Sequence, residues 1–192
     1  MGGYVNNATV FLVDTLFGLY ILVVLIRFLL QWLRADFYNP VSQFVITVTN
    51  PPVRFFRGFI PVFRNIDFAA VVLLLVLSMI KSWLLFSMIG HPSTVQGLLV
   101  YSIGELLQLT VYVFIFAILI RVVLSWIAPQ QGYNPALRLL YDLTEPVMEP
   151  ARRLIPPIAM LDISPIVVFI FLYLTLMLIV QPIMDFGIVL NR

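Results

Sequence analysis

Arg27, Lys81, Glu105 and Arg121 stand inside long apolar runs, where chemistry is either costly or purposeful. A charge held within a hydrocarbon layer costs about 3 kcal/mol unless it is paired or reaches water. Arg27 and Arg121 each precede a tryptophan, Trp32 and Trp126, by five residues. Three readings stay open for these arginines. The stem can carry the guanidinium out to the polar boundary. A salt bridge can form to Asp67 or Asp162. A substrate can be coordinated. Lys81 lies 14 residues beyond Asp67, about 21 Å along a helix. It either extends outward to water or pairs with Asp14 or Glu105, which fall at similar depth.

A second group is Glu145 with Arg152 and Arg153. Glu145 suits the positive end of a short helix, and the arginines suit anionic lipid headgroups. The same patch could instead dock a protein. Asp142, Glu145 and Glu149 lie close in sequence, but turn and cap roles account for them.

Other chemistry has little to work with. With no cysteine and one histidine, His91, the chain offers no disulfide, thiolate nucleophile, iron–sulfur site or multi-histidine metal site. His91-Pro92 reads as an outer turn. There is no Gly-rich phosphate loop, no nucleophile elbow and no pair of carboxylates flanking a cleft. Catalytic, cofactor-binding and metal residues are therefore expected to be none. A net charge of +2 without a long basic run argues against direct nucleic-acid binding.

The elements that must position these residues are membrane spans. The chain is 62% hydrophobic and 10% charged, against about 45–50% and 25% for a soluble domain. Four stretches of at least the roughly 20 apolar residues needed to cross a bilayer are expected at about 10–33, 68–89, 98–127 and 163–190. The first is read as retained, because it lacks a basic leader and a small-residue cleavage pattern. Arg34, Arg54, Arg57 and Arg64 follow the first span, and Arg138, Arg152 and Arg153 follow the third. The link His91–Gly97 has no Lys or Arg. Positive charge stays inside, so both long connections are expected in the cytoplasm and both termini outside. Arg192 is the one contrary charge.

The sequence also repeats itself. Arg27 to Trp32 matches Arg121 to Trp126, Asn39-Pro40 matches Asn134-Pro135, and Thr49-Asn50-Pro51 matches Thr144-Glu145-Pro146. Arg57 falls on Arg152, Pro61 on Pro156 and Asp67 on Asp162. Residues 1–96 and 97–192 thus read as two copies of a two-span unit, in one orientation, related by an axis along the membrane normal. Between the spans of each copy, 39–61 and 134–156 are expected to lie at the interface as short amphipathic helices. Asn-Pro starts each one. Val41, Phe44, Val45 and Val48 form one stripe, and Leu137, Leu140 and Tyr141 its counterpart. Thr-x-Pro is expected to break each helix and begin another. Asp67 and Asp162 are expected to cap the following spans. The fold class is all-α: four transmembrane helices as two tandem two-helix repeats with interfacial helices between them.

These motifs resemble the YggT family of bacterial membrane proteins, whose repeat runs Arg-x4-Trp, Asn-Pro, Thr-Glu-Pro, Arg-Arg-x-x-Pro and Asp-x-Ser-Pro. The second half carries all of it, from Arg121 to Ser164-Pro165. The first half departs at Asn50, Gly58 and Ala69-Ala70. The resemblance implies a multi-pass inner-membrane protein with no agreed enzymatic activity. Relatives are linked to osmotic tolerance, cation uptake, cell division, nucleoid organisation and, in plastids, cytochrome-complex assembly.

Two functions compete. One is a non-enzymatic scaffold or assembly factor, with lipid headgroups and a membrane or cytoplasmic protein as partners. The other is a small homo-oligomeric channel or accessory subunit affecting cation (K+) uptake, motivated by Gln31, Lys81, Gln108 and Gln181 at depth.

Overall fold

The computed structural model describes residues 2–35, 39–60, 66–127, 135–154 and 162–191. Their regular elements are helices: α1 (Gly2–Trp32), α2 (Pro40–Arg57), α3 (Phe68–Met88), α4 (Val95–Ile127), α5 (Pro135–Leu154), α6 (Ser164–Thr175) and α7 (Gln181–Leu190). A π-helical turn, Leu176–Val180, joins α6 to α7. Four stretches are long and apolar enough to cross a bilayer: Tyr4–Trp32, Phe68–Met88, Val95–Ser125 and Ser164–Leu190. This is the pattern of a multi-pass membrane protein.

Three local features depart from the sequence reading. Helix α1 starts well before residue 10, since no proline interrupts it and the Thr9 hydroxyl donates back to the Val5 carbonyl at 2.9 Å. The last span is not uniformly α-helical. Pro182 has no N–H for the Leu178 carbonyl, and the wider π turn lies just before it. Most tellingly, α2 and α5 do not break at Thr-x-Pro. Each runs on through its prolines, Pro51-Pro52 and Pro146 with Pro150. The Thr49 hydroxyl donates to the Val45 carbonyl at 2.6 Å, and Thr144 to Leu140 at 2.7 Å. Arg27 adds a donor to the Ile46 carbonyl at 3.4 Å. These donors fall on carbonyls that keep their own i+4 amides; the prolines take the ladder donor from Thr47, Val48, Asp142 and Pro146, and the helix persists all the same.

The helix ends are closed with equal care. After α1 the chain turns through Arg34 in a left-handed conformation, φ 55°, and the Ala35 amide donates to the Leu30 carbonyl at 2.9 Å. Ala35 and Leu30 then pack with Leu139 of α5, joining the two halves. The Asn39 side chain caps α2 through the Val41 amide at 2.9 Å and also donates to the Pro135 carbonyl. After α3 the same kind of turn uses Gly90, φ 72°, with His91 donating to the Phe86 carbonyl at 2.8 Å.

Helix α1 packs on α2 and α3, α3 packs on α4, and α4 packs on the last span. The core takes Val24, Leu29, Leu73 and Ile118 from the spans, and Val53 and Met148 from α2 and α5. The outward faces carry Leu16, Phe116, Phe171 and Leu178, all exposed apolar side chains, as a lipid-facing surface requires. Helices α4 and α7 approach closely at glycines. A Cβ on Gly187 would lie 2.6 Å from the Tyr101 amide nitrogen and 2.8 Å from its Cα. The ends of the pair away from the arginine-rich connections are tied by Asn191, whose side-chain oxygen accepts from the Thr94 amide at 2.9 Å. Gly187→Val is expected to cost about 2 kcal/mol by overpacking. Thermal unfolding in detergent measures it, and an unchanged midpoint would contradict this close approach.

Candidate functional site

Arg27, Arg121 and Glu145 lie where the first span of each half meets the helix that follows it. In the first half the Arg27 guanidinium is 4% exposed. It donates to the Thr49 hydroxyl at 2.8 Å and to the Asn50 side-chain oxygen at 3.1 Å. In the second half Arg121, 5% exposed, donates to the Thr144 hydroxyl at 2.7 Å and pairs with Glu145 at 2.8 Å. The Tyr141 ring lies 4.0 Å from its guanidinium carbon. Both arginines are therefore buried rather than extended to the boundary. Their bonds run to the turn of α2 or α5 beside them rather than to Asp67 or Asp162. The connecting helix lies closer than the next span, and its Thr hydroxyl and the residue after it supply the nearest acceptors.

The aspartates take a different arginine. Arg57 donates to Asp67 through both Nη2 and Nε, the latter at 3.2 Å, and Asp67 is fully buried. Asp67 also caps α3 at the Ala70 amide, 3.3 Å away. Arg152 donates to Asp162 at 3.0 Å and to Glu145 at 2.9 Å. Asp162 stands one residue before the N-cap, Ile163, and accepts from the Ser164 amide at 3.0 Å. Burial pushes the Asp162 carboxyl up, but hydrogen bonds from Ser164 and Arg152 outweigh it and hold the group below its ordinary value.

One of the differences between the halves, Asn50 for Glu145, divides their charge networks. Glu145 bridges Arg121 to Arg152, so the second half carries one continuous chain, Arg121–Glu145–Arg152–Asp162. Asn50 holds Arg27 without a carboxylate, and Arg57–Asp67 stands apart from it. Arg153 is the exception among the expected site residues: it is exposed and pairs with Glu149 at 2.6 Å. Trp32 is half exposed and stacks on Phe28 with ring centroids 6.0 Å apart. Asn134, Pro61, Pro156, Arg64, Arg192 and the Trp126 side chain lie outside the described residues.

The second place where charge gathers is within the spans. Lys81 is nearly buried and pairs with both expected carboxylates, Glu105 of α4 and Asp14 of α1, the latter at 3.0 Å. It does not extend outward to water. Glu105 accepts from the Ser78 hydroxyl at 2.6 Å. Beside this triad lies a cavity of about 220 Å³ that reaches Gly18, Gln108 and Tyr112. A wider cleft of about 750 Å³ opens on the arginine-rich side, between Leu33-Arg34 of the first half and Arg138, Asp142, Glu145 and Glu149 of the second.

Sequence reasoning missed the hydroxyl ligands. Thr49 and Thr144 read as helix breakers, whereas they are arginine acceptors; the signal was a Thr 22 or 23 residues beyond each Arg. Tyr141 over Arg121 and Ser78 on Glu105 had no such signal.

The CCB3/YggT family model matches this chain twice, over residues 6–88 and 100–183. The chain belongs to the CCB3/YggT family. Each match spans one half, so the internal repeat belongs to the family pattern. A Pseudomonas aeruginosa protein is 40% identical over 178 residues, covering 92% of this chain and 90% of its own length. A Vibrio alginolyticus protein is 40% identical over 166 residues, 85% of this chain and 89% of its own. Escherichia coli YggT is 35% identical over 169 residues, 87% of this chain and 86% of its own. No solved structure matches this CCB3/YggT protein.

Proposed function

We propose that the chain is a non-enzymatic scaffold of the bacterial inner membrane that presents a rigid cytoplasmic surface to a protein partner. On this reading both termini face outward. The two halves are tandem two-helix repeats, with α2 and α5 lying at the headgroup interface as amphipathic helices. Their exposed Val41, Phe55 and Tyr141 point to lipid, and their buried faces hold the span ends. The observation that carries the proposal is the charged cleft on the arginine-rich side. Its second-half wall is held by the Arg121–Glu145–Arg152–Asp162 chain. Its floor turns on Arg34, a non-glycine residue kept in the left-handed region, where strain of about 1 kcal/mol is tolerated at functional positions. Arg34 of the first half faces a wall of α5 that carries basic Arg138 with acidic Asp142 and Glu149, a pattern suited to a segment carrying both charges. The arginines that line the buried joints are already bonded within the chain, which favours holding a surface over turning over a substrate.

The test places a photo-crosslinking residue at Glu149 in native membranes, with Asp142→Lys in a second strain. A discrete crosslinked partner is expected with the first and lost with the second, while membrane insertion stays unchanged. An identical crosslinking pattern in both strains would overturn the proposal.

The Asp14–Lys81–Glu105 triad favours a second reading, a small channel or accessory subunit affecting cation uptake, because ionisable groups beside a cavity inside the membrane are a usual mark of ion pathways. Purified protein in liposomes that shows no ion flux at any potential would remove it.

A further inference from the structure

The two halves meet through unlike surfaces. The second span of the first half, α3, lies on the first span of the second half, α4. On the arginine-rich side, the end of α1 lies on α5. This is head-to-tail contact, and it leaves two matching surfaces without each other. Helix α1 packs on α2, α3 and narrowly on α4, while the last span packs on α4 and α5.

The repeat tells what those surfaces correspond to. Asp67 on Asp162 and Thr49 on Thr144 set one register, and Arg27 on Arg121 sets the other. At the α3–α4 contact, Ser78 donates to Glu105. Their counterparts are Tyr173 on α6 and Phe11 on α1. Both are exposed, at 54% and 67%. Val71 and Leu75 line a crevice that α3 shares with α4 and α1, and their counterparts Ile166 and Ile170 are exposed apolar residues. The connecting helices say the same independently. Leu139 is 7% exposed because Leu30 and Ala35 cover it. Its counterpart Phe44 is 65% exposed. One repeat position is thus covered in one half and bare in the other.

We propose that the protein associates head-to-tail with further copies of itself. The last span of one copy seats on α1 of the next, and the inner end of its α4 covers the neighbour's Phe44. The contact continues the α3–α4 interface already present in the chain, with Tyr173 and Phe11 standing where Ser78 and Glu105 stand. A heterologous contact of this kind closes into a ring or extends as a row, according to the rotation per step. Close packing of apolar side chains, rather than the hydrophobic effect, must hold it in lipid. The inference needs the chain to lie in a bilayer and is independent of the scaffold reading.

The absence of native cysteine allows a clean test. Phe11→Cys and Tyr173→Cys chains, tagged differently, are expressed alone and together in native membranes and oxidised. A crosslinked dimer is expected only when both are present. A chain carrying both substitutions is expected to give higher oligomers. Crosslinking of either single variant with itself would show a two-fold contact and overturn the proposal. So would an internal disulfide in the double variant, or no crosslink at all, which would leave both faces to lipid. Phe116→Cys, on a different exposed face, controls for random collision, and equal crosslinking there would also overturn it.

Discussion

Lys81→Met is expected to destabilise the helix assembly by about 3 kcal/mol, the scale for removing one member of a buried charge pair. The loss arises from what remains. Glu105 would keep its carboxylate beside Ser78 and Ser82, with Asp14 nearby and no cation between them. The compensating change is therefore Glu105→Gln, because Glu105 is the carboxylate that Lys81 shares with Ser78 and Ser82. The amide still accepts from Ser78, and it removes the stranded charge. The double variant should recover more than half of the loss. Unfolding of the purified protein in mixed micelles provides the numbers for a double-mutant cycle. Strictly additive losses would mean that Lys81 and Glu105 do not depend on each other.

The second large effect compares two aspartates in equivalent positions. Asp67→Ala is expected to cost about 3 kcal/mol, combining a lost helix cap with a guanidinium deprived of its carboxylate. Asp162→Ala is expected to cost about 1 kcal/mol, since the group is partly exposed and Arg152 keeps Glu145. The asymmetry follows from Asn50. In the first half the carboxylate that would have shared Arg57's charge is an amide, and it is spent on Arg27. Equal losses at the two sites would show that the Glu145 bridge does not support Arg152. Asp162→Ala with Glu145→Gln should then approach the cost seen at Asp67, which makes the bridge itself measurable.

Much of this protein was written in composition and spacing. Four apolar runs of sufficient length require lipid-compatible helices, because an unpaired backbone amide in hydrocarbon is too costly for any open alternative. The recurrence of Arg, Asn-Pro, Thr-x-Pro, Arg and Asp at intervals that differ by one residue only between the first Arg and the rest marks two copies of one unit, since such spacing reflects duplication of a whole structural element. Lys81 had two candidate partners because depth along a helix is set by rise per residue alone, and both proved to lie beside it.

The tertiary structure decided how the arginines are used. Whether a guanidinium reaches water or turns inward depends on what stands within about 3 Å of it, and that distance is fixed by how α2 and α5 cross the span ends. Sequence spacing carries no such information. The same holds for the prolines. Alone they stop a helix, but α2 and α5, packed against the spans beside them, run through theirs. Packing, not pattern, also left Phe44 bare where Leu139 is covered, because a repeat that meets itself through unlike surfaces always ends with one of each unmatched.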